Sequence, residues 1–223
     1  FDLQGAWSWY LRRCDGRPNA AVLARFIEVQ TKFLAPFAPH LCEEIWHGLG
    51  NAGFIVNAPY PGVIREEIDP RAEAAEALLQ STLADIREIL KVTRIAGKKV
   101  ALYTAPAWKI RIETIARDLA RTGPIPMDIL MEKALADPGM RERASEVAPF
   151  AKNVAEELRH SKLEARGETR PLDEFSLFSE NRAFLEKEFG MPVEVYVADD
   201  PECWDPAKRS GHAAPGRPAI YVE

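Results

Sequence analysis

The chain has 223 residues, with 29 Lys plus Arg against 34 Asp plus Glu for a formal net charge of −5, and 47% of its residues are hydrophobic. That length and apolar content allow a sizeable core, in one domain or two modest ones, and argue against disorder. Cys14, Cys42 and Cys203 are odd in number and far apart, so neither a disulfide scaffold nor a CxxC site is suggested and a cytoplasmic setting is expected. No apolar run of about eighteen residues marks a membrane span, and no signal-peptide pattern is present. The start at Phe1 rather than Met points to a fragment or a processed chain.

In chain order, Pro18 can open a helix on which Val22, Leu23, Phe26, Val29, Phe33, Leu34 and Phe37 recur at helical spacing. Pro36 and Pro39 interrupt the pattern. A second helix from Pro39 is expected to turn Leu41, Ile45, Trp46 and Leu49 towards the same core. Asp69 and Pro70 then cap and start a long helix whose stripe is Ala75, Leu78, Leu79, Thr82, Leu83, Ile86, Ile89 and Leu90. These segments form an expected helical bundle over residues 1–96.

The pattern changes at Gly97. Val100 to Thr104 is beta-prone, and Pro106 introduces a helix with Trp108, Ile112, Ile115 and Leu119 on its core side. Further helices are expected at Met127–Ala136, Arg141–Ala148 and Pro149–His160, with Pro149 either kinking one long helix or restarting it. Ser161 to Glu174 reads as an exposed linker, Ser179 as the cap of a helix over Asn181–Phe189, and Gly190 as its stop. Val193–Val197 and Ala219–Val222 have the composition of strands. The expected fold is therefore α+β: an all-α bundle, then a small α/β domain over residues 97–223 with a three-stranded sheet and several helices.

Catalytic signatures are lacking. His40, Glu43, Glu44 and His47 can share one helix side, but neither HExxH nor HxxEH occurs there. Ordinary helix surface is the preferred reading, with a small metalloenzyme as an alternative. GxSxG, GxxxxGK[ST] and GxGxxG are all absent, so no catalytic or metal-binding residue is assigned and no cofactor is expected for these residues. Charge is more informative. Residues 97–123 carry six positive groups against two negative, while residues 124–223 carry thirteen against twenty. Lys98, Lys99, Lys109 and Arg111 are candidates for phosphate contact, and Lys208, Arg209 and Arg217 form a second positive stretch. Solubilising side chains on the polar side opposite Trp108 and Ile112 would explain Lys109 and Arg111 equally well. Near the end, the charge of Glu223, if it closes the natural protein, would repel phosphate, but a backbone group near Ile220 could still contact a base or ribose.

The run Thr31-Lys32-Phe33-Leu34-Ala35-Pro36-Phe37-Ala38-Pro39-His40-Leu41-Cys42-Glu43-Glu44-Ile45-Trp46 closely resembles the helical anticodon-binding-type domain of class I aminoacyl-tRNA synthetases. Tyr103 to Lys109 and Pro215 to Glu223 look like the carboxyl-terminal region of the archaeal-type leucyl members of that family. The resemblance implies an enzyme that uses ATP with magnesium to activate leucine and transfer it to leucine tRNA. Its catalytic and editing parts would lie upstream, since neither HIGH nor KMSKS occurs here. It further implies that this region engages the long variable arm of the tRNA, with Arg217 and Ile220 to Glu223 matching that contact region. Expected partners are tRNA and the upstream domains of the same, monomeric chain. A fragment of a methionyl, isoleucyl or valyl relative, or a free-standing helical adaptor, are the other readings.

Overall fold

The computed structural model describes residues 2–94, 97–160 and 171–223. By packing, the chain divides into two units, residues 1–68 and 69–223.

The first unit is helical, with α1 at Asp2–Arg13, α2 at Ala20–Leu34 and α3 at Pro39–Gly48. The sequence reading missed α1, whose aromatic residues are tied to α2 by the ring of Trp7 stacked 4.1 Å from that of Phe26. Asn19, one residue after Pro18, caps α2 by accepting the Ala21 amide at 2.9 Å, satisfying one of the donors a helix start leaves open. Pro39 opens α3 as expected. Its buried side differs from the expectation: Cys42 and Trp46 are enclosed with Ile55, whereas Leu41 is 56% exposed. Ala35, Ala38 and Ala58 pack against that cluster. Phe33, Leu34 and Phe37, expected in a core stripe, are likewise exposed. Glu43, a candidate metal ligand, instead accepts the Ile55 amide with both carboxylate oxygens, at 3.1 and 3.0 Å. Among the described residues no three His, Cys, Asp or Glu side chains gather as a metal site.

The second unit opens with α4, Pro70–Thr93, whose Asp69 cap accepts the Arg71 and Ala72 amides. Leu78, Leu79, Thr82, Leu83 and Ile86 form its buried stripe, and α4 packs on the last strand. The sheet has β1 at Val100–Thr104 in the middle, β2 (Val193–Val197) parallel on one side and β3 (Ala219–Val222) antiparallel on the other. Every residue of β1 is buried, which is why Val-Ala-Leu-Tyr-Thr shows no strict alternation. Between β1 and β2 run α5 (Ala107–Thr122), α6 (Met127–Leu135), α7 (Pro138–Glu142), α8 (Ala144–His160), α9 (Glu174–Glu180) and α10 (Arg182–Phe189). Ile112, Leu130, Met140, Val147 and Ala151 lock α5 to α8 into one apolar cluster. The fold is thus the expected α+β arrangement.

Pro149 lies inside α8, the one-helix alternative of the two expected, and two boundaries are corrected. Asp137 caps a separate α7 ahead of it, through the Gly139 amide at 3.0 Å. Ser179 sits within α9 rather than capping α10, because Asp173 starts α9 earlier by accepting the Ser176 amide. Gly190 ends α10 as expected, at a φ of 66° that disfavours a side chain. Of the expected linker, residues 161–170 lie outside the described residues. No described helix is long and apolar enough to cross a membrane.

Candidate nucleic-acid interface

The structure distributes the candidate residues over distinct places on the second unit. At the start of β1, Lys98, Lys99 and Glu223 meet: the Lys98 amide donates to the Glu223 carbonyl at 2.6 Å, and the Glu223 amide to the Lys99 carbonyl at 2.9 Å. The Lys99 ammonium is 2.6 Å from Glu194 and 3.8 Å from the ring centre of Trp204. Ile220 lies mid-ladder opposite Leu102. Arg111 stands apart on α5, 2.8 Å from Asp137. Lys208 and Arg209 lie in a turn organised by Asp205, which accepts the Arg209 and Ser210 amides at 2.8 and 2.7 Å. Burial works against the Asp205 charge, yet those amides hold its carboxyl below the usual range.

At the other end of β1, a strand length of about 13 Å away at the usual rise, a groove of about 870 Å³ opens between α5, α8 and the loop 211–217. It brings together Lys109 and Arg217 with Arg117 and His212. Two of these cations are held by acids. Arg117 reaches Glu113 at 2.6 Å, and Arg217 reaches Glu157 at 3.1 Å with both partners well exposed. An exposed pair such as Arg217 with Glu157 contributes only about 0–1 kcal/mol, so a phosphate group can compete for the Arg217 guanidinium. The positive interval seen in the sequence is otherwise locally compensated, since Arg121 also pairs with Asp118, at 3.5 Å.

Lys109 does not lie on the polar side of α5. It is buried at 9% exposure, and its ammonium donates to the Gly211 and Ala213 carbonyls at 2.8 and 2.6 Å. The long stem delivers the charge to the loop, with the ammonium also 5.5 Å from the ring centres of Trp108 and Phe150. Burial pushes its pKa down, with the charges of Glu146 and Asp199 acting in the opposite sense.

The sequence reading missed Glu174, assigned there to an exposed linker. It is 4% exposed, and its Oε1 accepts the Gly216 amide at 2.5 Å. Residues 214–217 form a tight turn in which the Arg217 amide donates to the Ala214 carbonyl at 2.8 Å. Pro215 followed by Gly216, at a φ of 73°, is the residue pair a type II turn requires. Only this Pro-Gly pair was a local signal; nothing nearby in sequence marks residue 174 as its partner.

Burial pushes the Glu174 carboxyl above its usual 4.5, against the pull of the Gly216 amide. Because the folded pKa is the higher one, the folded state takes up the proton first, and stability rises as pH falls from the raised value through 4.5. Glu174→Gln is expected to remove this slope while keeping an acceptor for Gly216. Urea unfolding at a series of pH values between 7 and 4 reads it, and an unchanged slope in the variant would refute the assignment.

The family described as the anticodon-binding domain of tRNA ligase matches residues 3–102. Among similar proteins, the leucine–tRNA ligase of Methanosarcina acetivorans is 42% identical over 218 residues, covering 96% of this chain and 22% of the relative. That of Methanothrix thermoacetophila is 39% identical over 215 residues with the same coverage. That of Aeropyrum pernix is 35% identical over 225 residues, covering the whole chain and 22% of the relative. The chain therefore spans about a fifth of the length of these relatives.

Proposed function

Because this chain matches the anticodon-binding and carboxyl-terminal region of archaeal leucine–tRNA ligases across nearly its whole length, we propose that it is the tRNA-positioning part of a leucine–tRNA ligase. Leucine activation with ATP and magnesium, and transfer to tRNA, belong on this reading to domains upstream in the same cytoplasmic protein. The single observation that carries the reading is the similarity to leucine–tRNA ligases, which continues through the second unit, beyond the family match ending at residue 102. That continuity favours the leucyl reading over a methionyl, isoleucyl or valyl one, and over a free-standing adaptor.

Two features of the molecule support it. Phe37, Leu41, Phe54 and Val56 are 56–85% exposed in the first unit, more large apolar surface than a helical module on its own normally leaves uncovered, and this suits a surface that the rest of a larger chain covers. The groove at the loop 211–217 presents Arg217, whose exposed partner Glu157 a phosphate can replace. We take residues 1–96 and 97–223 as the functional modules. On that division α4 belongs to the first by its sequence family and to the second by packing. Lys98, Lys99, Arg111, Lys208, Arg209, Ile220 and Glu223 are secondary contact candidates on this reading.

The test is a titration at controlled salt with a leucine-tRNA transcript and the same transcript with its variable arm shortened. The full-arm RNA is expected to bind about tenfold tighter, the scale of one or two lost charge-assisted contacts. Equal affinities would exclude recognition of the arm.

A further inference from the structure

The loop 211–217 is held by two buried, oppositely charged side chains that come from different helices and grip different ends of its backbone. Lys109 of α5 takes the carbonyls of Gly211 and Ala213, and Glu174 of α9 takes the amide of Gly216. Neither is an ordinary core solution. Burying an ammonium and a carboxylate, each at less than a tenth of its free exposure, is unfavourable unless their bonds fix something an apolar side chain would leave free. What they fix is the main chain immediately before Arg217. Lys109 lines the groove together with Gly211 and Gly216, whereas Glu174 lines a second recess with Pro215, Gly216 and Arg117.

Resting on the tRNA reading above, we propose that Lys109 and Glu174 are positioning residues. They preset the 211–217 loop so that Arg217 meets the tRNA backbone in a loop already ordered. A loop ordered only on binding loses affinity to that ordering, and a preformed one does not. Neither side chain touches RNA, so the clamp tunes affinity without changing the number of phosphates neutralised. That separates it from a contact residue, whose loss lowers the slope of log affinity against log salt.

The experiment uses the full natural chain that carries this sequence and the long-armed leucine-tRNA transcript, titrated over a salt series. Lys109→Met and Glu174→Ala are expected to weaken binding about tenfold with an unchanged slope. Glu174→Gln, which keeps the acceptor, is expected to stay within about twofold of the unaltered protein. Arg217→Ala is expected to weaken binding and to lower the slope by about one. Gly216→Ala covers the case in which a buried variant fails to fold. Its Cβ meets nothing within 4 Å, but the φ of 73° strains it, so the turn is disturbed without touching the core, and about the same weakening is expected. Unaltered binding in folded clamp variants or in Gly216→Ala, while Arg217→Ala still weakens it, overturns the clamp and leaves the tRNA reading standing. A drop in slope for Lys109→Met would make Lys109 a direct contact and also overturn the clamp. If the unaltered chain does not bind the transcript, the tRNA reading itself falls and the recognition role of the clamp goes with it.

Discussion

Replacing Lys109 by Met is expected to destabilise the second unit by about 1–3 kcal/mol, the effect of leaving the carbonyl of the buried Ala213 without a donor, while water can reach the carbonyl of the exposed Gly211. Methionine reproduces much of the stem, and the loss removes the bonds to Gly211 and Ala213 together with the contacts of the ammonium over the Trp108 and Phe150 rings. Ala213 is fully buried, so water cannot replace the lost donor without opening the loop. The expected loss sits towards the lower end of that range, because the substitution also removes the unfavourable burial of the charge. The same burial gives a signed pH dependence. The pKa of Lys109 is lowered below its usual 10.5, so on alkaline titration the folded state releases its proton before the unfolded state does. Stability then rises with pH between the lowered value and 10.5, and is reduced as pH falls through the lowered value. Denaturant unfolding of the unaltered protein and Lys109→Met from pH 7 to 10.5 measures both effects. A loss below about 0.5 kcal/mol, within the range of ordinary surface changes, would show that the loop is held by other contacts.

Phe178→Ala is expected to have the larger effect, about 3–5 kcal/mol, the range for truncating a fully buried aromatic ring when neighbours only partly collapse into the space. Phe178 is 0% exposed, and its helix α9 packs against β2. The consequence extends beyond stability. Glu174 is the first residue of the same short helix, so loosening α9 removes the fixed point from which Glu174 holds Gly216. A folded population of this variant should therefore show faster hydrogen exchange at the Gly216 amide than the unaltered protein, in addition to its lower unfolding midpoint. A variant that loses stability while keeping that amide protected would uncouple α9 packing from the turn.

Elements specified by near neighbours in the chain were legible. Asp69 and Pro70 start α4, the apolar residues from Leu78 to Ile86 give its buried stripe, and Gly190 stops α10, because each depends on a cap, a period or a permitted φ. Local rules misassigned elements where two solutions competed. Asp173 outcompeted Ser179 as a helix start. Cys42 displaced Leu41 from the core side of α3.

The candidate site divides in the same way. Net charge by segment located the basic interval, and Pro215-Gly216 marked the turn before Arg217, both readable because they are properties of adjacent residues. The pairing of cations with acids was not readable. Arg111 with Asp137 and Lys99 with Glu194 join residues far apart in the chain, and they turn a run of positive charge into separate, locally balanced points. By itself the sequence determined most of the helices and the three strands, since caps and periodicity act over a few residues. Only the tertiary structure decided that Lys109 and Glu174 are buried supports of one loop. Their partners lie 102 and 42 residues away, and the value of a buried charge depends wholly on what the fold places beside it.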